Sequence, residues 1–227
     1  MKIIARIYND YVSKFGVPRQ SGLVENENSI IVFEPEYRYP EALRGLEEYN
    51  YLWLIWEFSE FKGKEWSPTV RPPRLGGNRR MGVFATRSPH RPNPLGLSAV
   101  RLEGIKEING QGTVIVVSGA DLMNGTPIYD IKPYLHYADC KQDSNNGFVS
   151  AESPLLEVVI DEKMSAEIPG EKLVVLKKVL AQDPRPRYID DADREFGLSF
   201  SGFNIKFKVN ENFLTVTEIE KIRADSE

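Results

Sequence analysis

The chain has 227 residues, 41% hydrophobic and 27% charged, with a formal net charge of −4. This composition is ordinary for a globular protein and excludes collagen, coiled coil and wholesale disorder. With Cys140 as its one cysteine and His90 and His136 as its only histidines, a disulfide framework is excluded and no metal site is expected.

In chain order, residues 2–8 alternate, with Ile3, Ala5 and Ile7 on one side, and read as a strand. Arg6 and Asp10 stand where a secretory apolar region should be, so no signal peptide is expected. The longest apolar run, residues 52–56, is far short of the ~20 that span a bilayer, and the expectation is a cytoplasmic protein. Residues 15–23, FGVPRQSGL, place Pro18, Arg19 and Gln20 after an apolar anchor. Gln reads an adenine edge and Arg pairs with a carboxylate. Residues 30–33 form a short β-branched run. Residues 41–49 fit a weak helix with Leu43 and Leu46 on one face. Residues 51–58 read as a buried strand, with Trp53, Trp56 and Phe58 in the core.

Charge is uneven. Residues 66–102 contain no Asp or Glu and seven arginines: Arg71, Arg74, Arg79, Arg80, Arg87, Arg91 and Arg101. The window is therefore +7 and the remainder −11. Arg pairs bidentately with phosphate and stacks on bases, so this is either a face for a polyanion or a solvated loop paired with acids elsewhere. Inside it, residues 81–97 read MGVFATRSPHRPNPLGL. Pro89, Pro92 and Pro94 fix φ and remove amide donors, which makes the stretch a rigid loop rather than a helix or central strand.

Residues 99–103 and 113–117 are further strands. Residues 121–134, DLMNGTPIYDIKPY, turn at Asn124-Gly125 and place Asp121, Asp130 and Lys132 near strand ends. Those carboxylates suit the amine and hydroxyls of an adenosyl group. Equally, Asp121 could cap the turn and Asp130 could pair with Lys132. Residues 141–147, KQDSNNG, are the best linker. Beyond it come a strand at 155–160, a helix at 171–182 stopped by Pro184, and a hairpin of 204–209 with 213–219. Arg185, Arg187 and Tyr188 in QDPRPRY combine phosphate pairing with a stacking ring, unless the adjacent aspartates neutralise them. Many short strands suggest a barrel or sandwich, mainly β, followed by a small α+β unit. The boundaries expected are 1–142 and 150–227. No GxGxxG, P-loop, HExxH or GxSxG motif is present.

The strings FGVPRQSGLV, LEEYNYLWLIWEF, GVFATRSPHRPNPLGLSAVRL, DLMNGTPIYDIKPYL and DPRPRY resemble the TrmO (TsaA-like, YaeB-like) family of tRNA N6-adenosine methyltransferases over nearly the whole chain. The resemblance implies a single-sheeted, non-Rossmann β-barrel that binds S-adenosyl-L-methionine, and a homodimer. It implies N6-threonylcarbamoyladenosine at position 37 of a threonine tRNA as substrate. Pro18, Arg19 and Gln20 match the family's PRQ; Arg91 and Leu97 lie in RPNPLGL; Asp121, Leu122, Met123 and Asn124 match the segment that closes on the cofactor. Asn124 stands where the family usually has Asp, and Ser59-Glu60 follow Phe58 where it often has His. Asp130 is the expected proton acceptor, with Lys132 and Tyr134 orienting the substrate. Arg71, Arg74, Arg79, Arg80, Arg87, Arg185 and Arg187 are expected to contact the anticodon loop. The alternatives are a non-catalytic RNA-binding adaptor of this fold or a methyltransferase with another substrate.

Overall fold

The computed structural model describes residues 1–25, 27–75, 79–149, 154–185 and 191–222. The N-terminal part contains β1 (Ala5–Tyr8), β2 (Asn28–Phe33), β3 (Tyr51–Glu57), β4 (Thr69–Val70), β5 (Met81–Gly82), β6 (Leu95–Ile108), β7 (Gly112–Ser118), β8 (Pro127–Pro133) and the single-turn helix α1 (His136–Asp139). Six strands hydrogen-bond in a ring, β1-β2-β7-β6-β3-β8, as the barrel reading expects. Every neighbouring pair is antiparallel. The seam between β8 and β1 is short, Ala5 opposite Ile128 and Arg6 opposite Pro127, and beyond Pro127 it passes into single backbone bonds from Ile7 N–H to Thr126 O at 3.2 Å and from Gly125 N–H to Ile7 O at 2.7 Å. Register shifts at Ile55/Trp56 and at Leu102/Gly104 supply the local bends that a small ring requires.

The interior follows from alternation. Leu52, Leu54 and Trp56 of β3 and Gly96, Ser98 and Val100 of β6 are buried at every second position. With Ile7, Ile31, Ile115, Val117 and Ile128 they form one core. The strand β8 was not read as such from the sequence, where its polar Asp130 and Lys132 mask a half-buried ribbon. Residues 41–49 do not form an α-helix. They make two 3₁₀ turns, Pro40–Leu43 and Leu46–Glu48, separated by Gly45 at φ 85°, a left-handed residue that no continuous helix accommodates.

The C-terminal part adds β9 (Glu157–Val159), α2 (Glu162–Ser165), α3 (Gly170–Ala181), β10 (Phe196–Phe200), β11 (Phe203–Asn210) and β12 (Phe213–Lys221), the sheet running β10-β11-β12-β9. The hairpin between β11 and β12 turns at Glu211, φ 51°. Helix α3 buries Val175, Leu176, Val179 and Leu180 against this sheet. Two residues from the other side of the chain, Tyr11 and Val24, lie buried in this second core. Among the described residues no helix is long and apolar enough to cross a membrane.

Gly96 tests the ring packing. A Cβ there would stand 2.1 Å from the Trp56 indole, whereas at Gly82 nothing lies within 4 Å. Gly96→Ala is expected to lower stability by roughly 1–3 kcal/mol, and Gly82→Ala to stay within about 0.5 kcal/mol of the parent; thermal unfolding of both variants measures the contrast.

Candidate active site

A cleft of about 1080 Å³ opens between the ring and residues 14–21. Its walls come from five segments that are remote in sequence, together with Arg6 of β1 and Tyr134 after β8: residues 14–21, β3 with the 3₁₀ turn Ser59–Phe61, the proline-rich loop from Thr86 to Arg91, the start of β6, and residues 121–126. Pro18, Arg19, Gln20, Ser59, Glu60, Arg91, Leu97, Asp121, Met123, Asn124 and Tyr134 all line it. Leu122 does not. It is wholly buried in the barrel core, pointing away from the side that Asp121 and Met123 present.

Asp121 is the pivot of the cleft floor. The Trp56 indole N–H donates to Ser98 Oγ at 2.9 Å, and the Ser98 hydroxyl donates to Asp121 Oδ1 at 2.5 Å. Backbone N–H groups of Asp121 and Ser21 also reach this carboxylate. Burial pushes the Asp121 carboxyl above the ordinary carboxylate range, and the Ser98 bond, the two N–H groups and the Arg87 charge only partly offset that rise. A second carboxylate, Glu57, closes the end of β3 with Lys62 Nζ 3.5 Å away. The Tyr129 phenol is pushed up to about 12, by burial first and then by its hydrogen bond to Glu57.

Cations frame the opening. Arg87 donates to Gln20 Oε1. Arg91 donates to the carbonyls of Val83 (3.1 Å) and Thr86 (2.7 Å), which fixes the loop its own prolines stiffen. Arg6 reaches Gly125 O at 3.2 Å and Glu34 at 3.0 Å. Arg19 donates to the carbonyl of Asp183, across to the C-terminal part.

Residues 121–125 have no regular secondary structure and are stapled by the end of β1. Asn124 N–H donates to Tyr11 O at 2.8 Å, Gly125 N–H to Ile7 O at 2.7 Å, and Asn9 Nδ2 to Leu122 O at 2.9 Å. The Asn124 side chain completes the staple: its Oδ1 accepts the Asn9 backbone N–H at 3.0 Å. That task needs an acceptor oxygen and no charge, so Asn serves where the resembling family has Asp.

Two of the expected catalytic residues stand elsewhere. Asp130 and Lys132 pair with each other at 2.9 Å, half-exposed on β8, and neither lines the cleft. Two residues apart on a strand, they share a face and neutralise one another. Arg185 is likewise engaged: its Nε donates to both carboxylate oxygens of Asp183, at 2.9 and 3.2 Å, and its side chain is only 14% exposed. Arg71, Arg79, Arg80 and Arg87 are exposed, Arg80 donating to Thr69 at 2.8 Å. The Arg74 side chain and Arg187 lie outside the described residues. Sequence reasoning missed Arg6, Asn9, Glu57 and Ser98. For Ser98 a signal existed, since Gly96, Ser98 and Val100 alternate inward. For Asn9 none did, because its partners lie 115 and 113 residues away.

Residues 6–140 match the family model of the tRNA-methyltransferase O N-terminal domain, and residues 154–222 match that of the TrmO C-terminal domain. The tRNA (adenine(37)-N6)-methyltransferase of Escherichia coli is 36% identical over 96% of both chains. A Pseudomonas aeruginosa protein named for S-adenosylmethionine-dependent methyl transfer is 41% identical over 82% of this chain and 81% of its own. A crystal structure of TrmO from Pseudomonas aeruginosa superposes with a TM-score of 0.77 at 30% identity, covering 96% of each chain.

The buried carboxyl carries a pH signature. Because Asp121 keeps its proton to higher pH when folded than its ordinary 3.8, its burden on the fold is absent below that value and grows as pH rises through the raised one. Asp121→Asn is therefore expected to gain stability relative to the parent as pH increases from about 3.8, with the difference levelling once the native carboxyl is ionised. Urea unfolding of both proteins across pH 4–8 measures it.

Proposed function

The chain belongs to the TrmO family and is an S-adenosylmethionine-dependent tRNA methyltransferase; from that premise we propose that it methylates N6 of N6-threonylcarbamoyladenosine at position 37 of a threonine tRNA. The observation that carries the reading is the convergence in one cleft of the PRQ segment, Arg91, Leu97 and the Asp121–Asn124 loop. The side chains present fit the donor. An adenosyl group with an amino-acid tail needs acceptors for its amine and hydroxyls, a cation for its carboxylate and apolar walls for its ring. Glu57 and Asp121, Arg19 and Arg87, and Phe58 and Phe61 supply these. At about 1080 Å³ the cleft lies at the top of the usual range for a small-molecule site, which leaves room for a target base beside the cofactor. Bound there, the cofactor supplies an electrophilic methyl group on a sulfonium.

The protein's part is to align N6 and take its proton. The threonylcarbamoyl group makes N6 ureido-like and its proton more acidic than that of plain adenine. Asp121, not Asp130, is the proton acceptor in this proposal: it faces the cleft, and burial has made it a stronger base than an exposed carboxylate. Tyr134, braced against Trp53 at 5.3 Å between ring centroids, orients the carbamoyl side of the substrate.

The arginine face receives the anticodon loop. Arg71, Arg79, Arg80 and Arg87 are exposed, and two aromatic rings rise among them, Trp66 at 49% and Phe84 at 71% exposure. Phosphate-pairing cations interleaved with stacking rings suit unpaired nucleotides. Arg74 and Arg187 are proposed as further contacts to the same loop. Leu97, 59% exposed beside the cleft, and Trp53 on the neighbouring strand offer apolar surface for a second copy, and we infer a cytoplasmic homodimer.

Two experiments test this reading. With labelled S-adenosylmethionine, label should enter total tRNA from wild-type cells and stay out of tRNA from cells that cannot make threonylcarbamoyladenosine. Label in both pools removes the proposed target; label in neither removes the activity. Separately, Trp66→Ala should weaken tRNA binding roughly tenfold, as expected for the loss of one stacked base, while the cofactor dissociation constant stays put, since Trp66 lies outside the cleft lining; filter binding and calorimetry read the two.

A further inference from the structure

The residues that form the outer wall of the cleft are anchored in the C-terminal core rather than in the barrel. Residues 10–24 leave β1 and cross the C-terminal part before returning to β2. Tyr11, near one end of this segment, is 1% exposed and packs against Phe200 with ring centroids 6.3 Å apart. Val24, at the other end, is equally buried in the same cluster, and Val17 packs on it between them. Polar ties follow the same path. The Asp10 carboxylate pairs with Lys172 on α3, Gln182 Nε2 donates to Leu23 O at 3.2 Å, and Arg19 donates to Asp183 O. Asp183 is held for that bond by its left-handed backbone, φ 54°, and by Arg185 on its carboxylate.

Between these anchors the segment presents Pro18, Arg19, Gln20 and Ser21 to the cleft, and the Ser21 N–H reaches Asp121. Tyr11 ties both walls together, because its ring sits in the C-terminal core while its carbonyl accepts the Asn124 N–H of the opposite loop at 2.8 Å. Beneath it, Glu27 accepts the Asp10 N–H at 2.9 Å and holds the start of the segment from the barrel side.

We propose that the C-terminal domain sets the geometry of the cofactor site in cis without lining it: its docking through Lys172–Asp10, Tyr11 and Asp183–Arg19 sets the distance between the residue 18–21 wall and the barrel, making Asp10, Tyr11 and Lys172 positioning residues for S-adenosylmethionine. This gives Asp183 and Arg185, whose side chains are largely buried against each other, a positioning role. The proposal rests on reading the cleft as the cofactor site. Lys172 lines no part of it, so any effect of Lys172 on cofactor binding passes through the segment it holds.

The test uses the full-length chain and S-adenosylmethionine as probe. Lys172→Glu sets two negative groups against each other and is expected to weaken cofactor binding about tenfold by calorimetry, a size typical of coupled neighbours. Asp10→Lys combined with Lys172→Glu restores the pair in reverse and should bring affinity back to within about threefold of the parent. Should Lys172→Glu fail to fold by circular dichroism, Lys172→Met, which removes the charge without adding one, carries the measurement, with a several-fold loss expected. Unchanged cofactor affinity in a folded Lys172 variant overturns the proposal, as does a loss that the reversed pair leaves unrestored. A parent chain that binds no S-adenosylmethionine overturns instead the reading of the cleft.

Discussion

Residues 6–11 hold the cleft in register. The loop at 121–125 lines the cleft and forms no strand, so its backbone groups need partners elsewhere. The end of β1 supplies them through the carbonyls of Ile7 and Tyr11 and the side chains of Arg6 and Asn9. One short extended segment thus serves as barrel strand, loop staple and lead into the C-terminal core. The brevity of the seam between β1 and β8 is part of the same arrangement, since a longer ladder would consume the backbone that the loop now uses.

The cleft floor holds a carboxylate that the fold tolerates at a cost. Asp121 is half-buried at the end of a chain running from the Trp56 indole through Ser98, and its carboxyl is raised above the ordinary range despite the donors aimed at it. A carboxylate so placed is a poor stabiliser and a good base. Gly96 permits the arrangement: its missing side chain lets the Trp56 ring lie against β6, which brings Nε1 to Ser98. The packing of the ring and the basicity of the floor rest on the same cross-strand pair, Trp56 opposite Gly96.

Much of the fold was legible because its signals are local. Alternation at 2–8 and 204–209 and the apolar run at 51–58 mark strands. Prolines at 89, 92 and 94 gave a rigid loop, and Pro184 ended a helix. The failures have local causes as well. Gly45 breaks a helix that leucine spacing alone suggests, and β8 carries an ion pair on its outer face that hides the alternation. Sequence pattern cannot separate a charged residue that faces the cleft, such as Asp121, from one that faces its neighbour two positions along, such as Asp130.

By itself the amino-acid sequence determined a mainly β chain with two units, the acid-free arginine window, the stiffness of residues 81–97 and the string of motifs that mark the family. Only the tertiary structure decided which of those residues meet. Contacts such as Asn9 with Asn124, Trp56 with Ser98 and Asp121, and Arg19 with Asp183 join positions 23 to 164 apart, and no periodicity encodes them. They arise because the strand ring and the packing of residues 10–24 on the C-terminal core bring these backbone positions together. The side chains then pair with whatever donors and acceptors those positions bring within reach.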